Sequence, residues 1–172
     1  MGVLDQLECT AVHEAGHAVA AWQKRLDIRS ITIEPKEGSL GHTQHEPFCF
    51  SSYRQIYNTW MLKRRIESAA FVSLAGPLAE EKFNPSGYQE ELSAADFDKA
   101  IDCLKFLSSD SDVISRQLEV ITVHVNGFLH QAHIWSSIRF LAQVLLEKGT
   151  LSGQEVRVAI LDSYKDMASK CG

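Results

Sequence analysis

Cysteine, proline, glycine and positive charge are all scarce in this sequence, and each scarcity removes a class of protein. The four cysteines, Cys9, Cys49, Cys103 and Cys171, are scattered with no CxxC or framework spacing. A disulfide scaffold is therefore not expected, and unpaired thiols fit a reducing, cytoplasmic compartment. Only 4 Pro and 10 Gly occur in 172 residues, with 45% hydrophobic and 23% charged residues, a composition that leans helical and excludes disorder. Seventeen basic against 22 acidic side chains give a net charge of −5. No cationic block interrupts the chain, so a nucleic-acid surface has no support. The longest apolar runs, near residues 71–79 and 140–146, are far too short to span a bilayer. The N-terminus lacks the basic and apolar regions of a secretory signal, and Gln6 stands where myristoylation wants Ser or Thr. The length fits one domain, 1–172.

Hydrophobic periodicity predicts mainly α structure with a small β-hairpin or sheet, an α+β class. Leu4, Leu7, Ala11, Ala15, Ala18, Trp22 and Leu26 form one apolar stripe of a helix from Asp5 to about Arg25. His13 and His17 lie on a row roughly opposite that stripe, facing away from its core contact. Ile28 to Glu34 reads as a strand closing at Pro35, Lys36 to Gly41 as a turn, and Leu40 to His45 as a short second strand. Ser51 or Ser52 is placed to cap a helix containing Ile56, Trp60, Ile66, Ala70 and Leu74, which Gly76-Pro77 should kink or restart. After a loop at Asn84 to Gly87, Ser93 is placed to cap a helix with Asp96 in its first turn, where the macrodipole favours an acid. A long helical pattern runs from Leu118 to Leu145, with Gly127 as the candidate break. Ser152 and Glu155 make a capping-box signature for a last helix, through about Met167.

The chemistry is concentrated in His13-Glu14-Ala15-Gly16-His17, an HExxH motif on the first helix. Residues four apart on a helix share a face, so both imidazoles can reach one zinc ion. Glu14 beside them is suited to move protons to and from water. With seven His and 13 Glu in the chain, this pattern arises by chance with a probability on the order of two per cent. A mid-helix Gly16 costs about 1 kcal/mol against Ala, which suggests that something approaches the backbone closely. A catalytic zinc wants a third protein ligand. Spacing leaves Glu80, Glu81, Glu90, Glu91, Asp96, Asp98, His42, His45, His124, His130 and His133 open for that place.

The sequence around the motif, from Thr10 to Ala18, resembles the metallopeptidase domain of the FtsH family, AAA+ zinc proteases that degrade membrane and cytosolic proteins. Ile31-Thr32-Ile33-Glu34-Pro35 followed by Leu40-Gly41-His42-Thr43 is similar to the family's strand, turn and strand. Leu74 to Glu81 is similar to its Gly-rich, Glu-Glu helix, with Ala75-Gly76-Pro77 in place of Gly-Gly-Arg. Leu145 to Lys148 with Thr150 to Val156 is similar to its C-terminal signature. The resemblance implies a compact helical peptidase domain that binds Zn2+ through His13, His17 and Asp96, the last followed by Phe97 and Ala100. Glu80 and Glu81 are the reserve third ligands. The resemblance also implies that Glu14 is the general base and that the strand at Leu40, Gly41, His42 and Thr43 receives an extended polypeptide substrate.

No GxxxxGK[ST] phosphate loop occurs, so these residues hold no ATP-driven step. A separate ATPase chain and a homo-oligomer are the partners that the resemblance leaves open. The expected activity is ATP-independent metalloendopeptidase cleavage of unfolded polypeptide. The rival readings are a catalytically weak zinc-binding regulatory module and a small regulatory HExxH protease of another family.

Overall fold

The computed structural model describes residues 3–34, 42–45 and 59–170. They form α1 (Val3–Gln23), β1 (Ile28–Thr32), β2 (His42–His45), α2 (Thr59–Phe83), α3 (Glu90–Lys105), α4 (Ser111–Leu129), α5 (Ala132–Lys148), β3 (Thr150–Ser152) and α6 (Gly153–Lys170). The class is mainly α with a small antiparallel sheet in the order β2-β1-β3. In this sheet Ile31 lies opposite Thr43 and Leu151, and Thr32 opposite His42 and Thr150. Regular strand ends at Thr32, short of the expected Glu34, although the Ile33 N–H still donates to the Gly149 carbonyl at 2.9 Å. Pro35, the turn at Lys36 to Gly41, Ser51, Ser52, Ile56, Cys49 and Cys171 lie outside the described residues.

The first helix is more deeply embedded than its apolar stripe suggests. Ala11, Ala15 and Ala18 on the stripe are fully buried, but so are Ala20 and nearly all of His17 on the opposite row. The histidines face away from the contact of the stripe, yet their row is packed as well: α2 covers their side of α1, while α5 and the sheet take others. Leu7, assigned to the core stripe, is instead 41% exposed. Small residues explain the cover on the histidine side. A Cβ on Gly16 would lie 2.7 Å from the Ala75 carbonyl oxygen and 2.8 Å from Ala79 Cβ, so the two backbones approach as closely as they do only because position 16 has no side chain.

Three boundaries differ from the sequence reading, each for a physical reason. The second helix runs from Thr59 to Phe83 as one element with Pro77 inside it, and does not restart there. Proline removes one backbone donor, and the packing of Leu74, Ala75, Leu78 and Ala79 into the core outweighs that loss. The third helix starts at Glu90 after the N-cap residue Gln89, so Ser93 does not cap it but lies buried within it. Glu90 and Glu91 occupy the first turn, where the helix dipole favours them, and Asp96 falls in the second. The long helical pattern breaks at His130 and Gln131, not at Gly127, which sits inside α4 facing open space. At the other end of α4, Asp110 accepts from the Asp112 and Val113 amides. The capping box is present: Glu155 Oε2 accepts from the Ser152 amide at 2.9 Å and Ser152 Oγ accepts from the Glu155 amide at 3.4 Å.

Gly16→Ala sets a gain in helix propensity of about 1 kcal/mol against overpacking that costs about 1–3 kcal/mol. Because the obstructing atoms include a backbone carbonyl, the clash dominates. Urea unfolding of this variant is expected to show a net loss of up to about 2 kcal/mol, and greater stability than wild type would contradict the close approach.

Candidate metal centre

Antiparallel α1 and α2 form a ladder with one rung per helical turn. Asn84 Nδ2 donates to Cys9 Sγ at 3.5 Å. One turn on, His13 Nδ1–H donates to Glu80 Oε2 at 2.8 Å. At the next turn His17 Nδ1–H donates to the Val72 carbonyl at 2.7 Å. The His17 ring lies against Gly76, where any Cβ would overlap Nε2, Cε1 and Cδ2. Pro77 leaves the Ser73 carbonyl without its helical donor, so the turn from which His17 takes its acceptor is the turn that the proline disturbs.

These bonds fix both tautomers. With each Nδ1 donating, the two Nε2 atoms carry lone pairs when the rings are neutral, and they face each other at 3.1 Å. Asp96 comes from α3 to the same point, its Oδ2 lying 3.0 Å from His13 Nε2 and 3.5 Å from His17 Nε2. Its other oxygen, Oδ1, accepts from Lys99 Nζ at 2.9 Å, so Asp96 presents a single oxygen to the imidazole pair. The three side chains are only 10–13% exposed. Ligands about 2.0–2.1 Å from one tetrahedral ion stand about 3.3 Å apart, which matches the observed separations. His13, His17 and Asp96 thus form a group that can hold a metal ion, and among the described residues no other cluster of three or more such ligands lies so close together.

Three converging lone pairs need a cation, and without a metal the cation is a proton. Burial alone would lower the His13 pKa, but hydrogen bonds to the Asp96 and Glu80 carboxylates and the charge of Glu14 outweigh it and push it up to about 10. Burial also works to raise the Asp96 pKa, yet the imidazoles of His17 and His13 hold that carboxyl well below the usual range. Asp96 therefore stays ionised, and its proximity to two imidazoles, not the macrodipole of a first turn, accounts for its placement.

The remaining sequence candidates are distributed as follows. Glu14 is buried, at 5% exposure, and close enough to His13 to act on its charge. Glu80 holds the outer nitrogen of His13 instead of joining Asp96 at the convergence point, and Glu81 is exposed. His130 Nδ1 donates back to the Asn126 carbonyl at 2.7 Å, and the His133 ring lies 6.3 Å from that of Tyr164. His42 and Thr43 lie on β2, at one edge of the sheet, whereas Leu40 and Gly41 fall outside the described residues. Sequence reasoning missed Val72 and Lys99. A carbonyl acceptor leaves no mark in sequence, and Lys99 was legible only as a residue three positions after Asp96.

Comparison of the sequence with models of protein families and with curated proteins returns no match. The functional reading consequently rests on the group itself and on the motifs quoted above.

Two outcomes follow. Below pH 10 the metal-free group carries a proton on His13 that an entering ion must displace, so affinity for a divalent metal is expected to rise with pH, by about tenfold per unit between pH 7 and 9. Calorimetric titration in buffers of different ionisation enthalpy should report release of about one proton at pH 7, and no release would contradict the assignment. Separately, Glu80→Ala is expected to weaken metal affinity about 10–100-fold, because His13 loses the carboxylate that orients it; competition with a chelator measures this, and an unchanged affinity would remove Glu80 from the site.

Proposed function

We propose that this chain is a zinc-dependent metalloendopeptidase, resembling the FtsH peptidase domain, that hydrolyses peptide bonds of unfolded polypeptide without ATP. The observation that carries the reading is the convergence of two Nε2 lone pairs and one carboxylate oxygen, each imidazole oriented by a partner on its outer nitrogen, with Glu14 beside them. In this reading His13, His17 and Asp96 hold Zn2+, since two imidazoles and one carboxylate are the donor set of a catalytic zinc site with a position left open. Zinc, when bound, supplies Lewis acidity, lowering the pKa of water to about 7 and polarising a carbonyl.

The chain's own residues do the rest. Glu14 is the proton carrier: its carboxylate accepts a proton from the attacking water and delivers it to the leaving amine. Its burial favours this, because a carboxylate shielded from bulk water exchanges protons with its neighbours. Glu80 and the Val72 carbonyl keep the imidazoles in the liganding tautomer, and Lys99 keeps one Asp96 oxygen occupied.

Substrate binding is proposed along residues 40–43, of which His42 and Thr43 lie on β2 at the edge of the sheet; a sheet edge offers backbone donors and acceptors to an extended chain regardless of its sequence. Only an unfolded segment can lie there, so substrates reach the site already unfolded or from a separate ATPase chain. A homo-oligomer and a cytoplasmic setting belong to the same proposal. The setting draws support from Cys9 and Cys103, which form no disulfide among the described residues, and no helix among those residues is long and apolar enough to cross a membrane.

The test is zinc content per chain together with cleavage of an unfolded fluorogenic protein. Glu14→Gln should keep its zinc and lose at least about 100-fold in rate, whereas Asp96→Ala should lose both. Equal rates for wild type and Glu14→Gln would overturn hydrolysis and leave a zinc-binding regulatory module. Zinc and full rate retained in Asp96→Ala would move the chain to another kind of HExxH protease.

A further inference from the structure

Lysine and arginine stand next to one another at two places in this chain, Lys24-Arg25 and Lys63-Arg64-Arg65. Each run is too short to register as a cationic block, but the antiparallel pairing of α1 and α2 brings both to one end of the helix pair. There Lys24 Nζ lies 3.8 Å from the centroid of the Phe71 ring on α2. Burial lowers the Lys24 pKa first, and the charge of Arg64 lowers it further against a smaller opposing effect of Glu67, so the lysine and the guanidinium share one surface. On α2, Leu62, Ile66 and Ala69 pack against Cys103 and Leu107. At about 100° per residue, Trp60 and Arg64 fall on the opposite face and Lys63 at its edge. All three are exposed, Trp60 by 64%, and the Arg64 guanidinium lies 5.5 Å from the centre of the Trp60 ring. Met61 beside them is 41% exposed. The acids nearby are already paired, Glu67 with Lys63 at 3.7 Å and Asp27 with Arg157 at 2.8 Å. No acidic residue stands in the first turn of α2, so the positive end of that helix dipole adds to the patch. In a chain of net charge −5 this is a local reversal of sign.

An exposed tryptophan among cations is the composition of a membrane-interface segment, in which the ring sits at the level of the lipid headgroups while ammonium and guanidinium groups stay in water. Either feature alone attaches a protein weakly; apolar insertion and attraction to anionic lipid together make a stable attachment. We propose that the surface formed by Lys24, Arg25, Trp60, Lys63 and Arg64 docks this chain on an anionic phospholipid membrane, with Trp60 entering the interface and the four cations facing the headgroups. A purely acidic polypeptide would match the charges but offers no apolar layer to a ring this exposed, whereas the headgroup region offers both. The cytoplasmic leaflet of a cell membrane carries such lipids. The inference goes beyond the metallopeptidase reading and does not depend on it.

The test is flotation of the full chain with vesicles of phosphatidylcholine alone and of phosphatidylcholine with added phosphatidylserine, at low and high salt. Binding should be at least about tenfold tighter to the anionic vesicles and should fall as salt rises. Lys63→Gln combined with Arg64→Gln should weaken it about 25-fold, or about fivefold for each cation. Arg116→Gln combined with Lys165→Gln, which removes the same charge from exposed positions on α4 and α6, should leave it within about twofold. Tryptophan emission should shift to the blue on binding, and the shift should be lost in Trp60→Phe, which keeps Trp22 and Trp135. The substituted side chains are exposed, and circular dichroism would show that each variant is folded. Equal binding to the two kinds of vesicle, an affinity unchanged by the Lys63 and Arg64 substitutions, or no blue shift from Trp60 would overturn the proposal. Poly-glutamate bound as tightly as the anionic vesicles would overturn it in favour of an acidic polypeptide partner. None of these readouts involves zinc or cleavage, so failure of the peptidase reading leaves their outcome unchanged.

Discussion

The close approach of α1 and α2 is the constraint on which the rest depends. Two helices of ordinary side chains pack with their axes 8–10 Å apart. Here Gly16, Gly76, Ala75 and Ala79 remove the side chains that would hold the backbones apart. Closeness then has a chemical use. The His17 ring can bond a backbone carbonyl of the neighbouring helix only because nothing projects from Gly76, and Glu80 reaches His13 from the same face. The two outer-nitrogen partners of the histidines thus come from one helix, and their orientation is a property of the packing.

That packing creates an electrostatic demand. Orienting both imidazoles by their outer nitrogens turns their other nitrogens toward each other at 3.1 Å, with Asp96 Oδ2 alongside. Three acceptors converging in a pocket largely shielded from water are mutually repulsive unless something positive lies between them. The protein answers with a proton when metal is absent, which is the physical content of the raised His13 pKa, and a divalent cation answers it with more charge. Glu14 and Glu80 increase the demand, since both add negative charge near His13. Lys99, engaging the far oxygen of Asp96, partly offsets it from the solvent side.

How much of this was legible in the sequence follows from which interactions are local. The pairing of His13 with His17 is a helical repeat, and so is the proximity of Glu14; the HExxH spelling carries both. The reciprocal bonds of Ser152 and Glu155 span three residues and were equally readable. Asp96 was read from a resemblance and not from its spacing, because it lies 83 positions after His13 and the fold alone decides which acid crosses that gap. The start of its helix was misplaced at Ser93 because a serine resembles a cap, whereas Glu90 and Glu91 made a better first turn. Of the kink or restart expected at Pro77, the restart does not occur; local rules see the lost donor and not the buried face of α2. The packing of the histidine row of α1 was not legible for the same reason: hydrophobic periodicity detects covering by large apolar side chains, and α2 covers that row with glycine and alanine.

The ladder also ties binding to folding. Its three rungs, Cys9 with Asn84, His13 with Glu80, and His17 with Val72 and Gly76, share one register, because a continuous helix slides as a unit and cannot shift at one turn alone. A sliding of α2 by one residue would rotate its contact face by about 100° and remove Glu80, the Val72 carbonyl and Gly76 from their places together. The glycine contacts set that register, since at Gly16 the fit to Ala75 and Ala79 tolerates no added methyl. Residues that touch no ligand therefore decide whether the imidazoles are oriented at all.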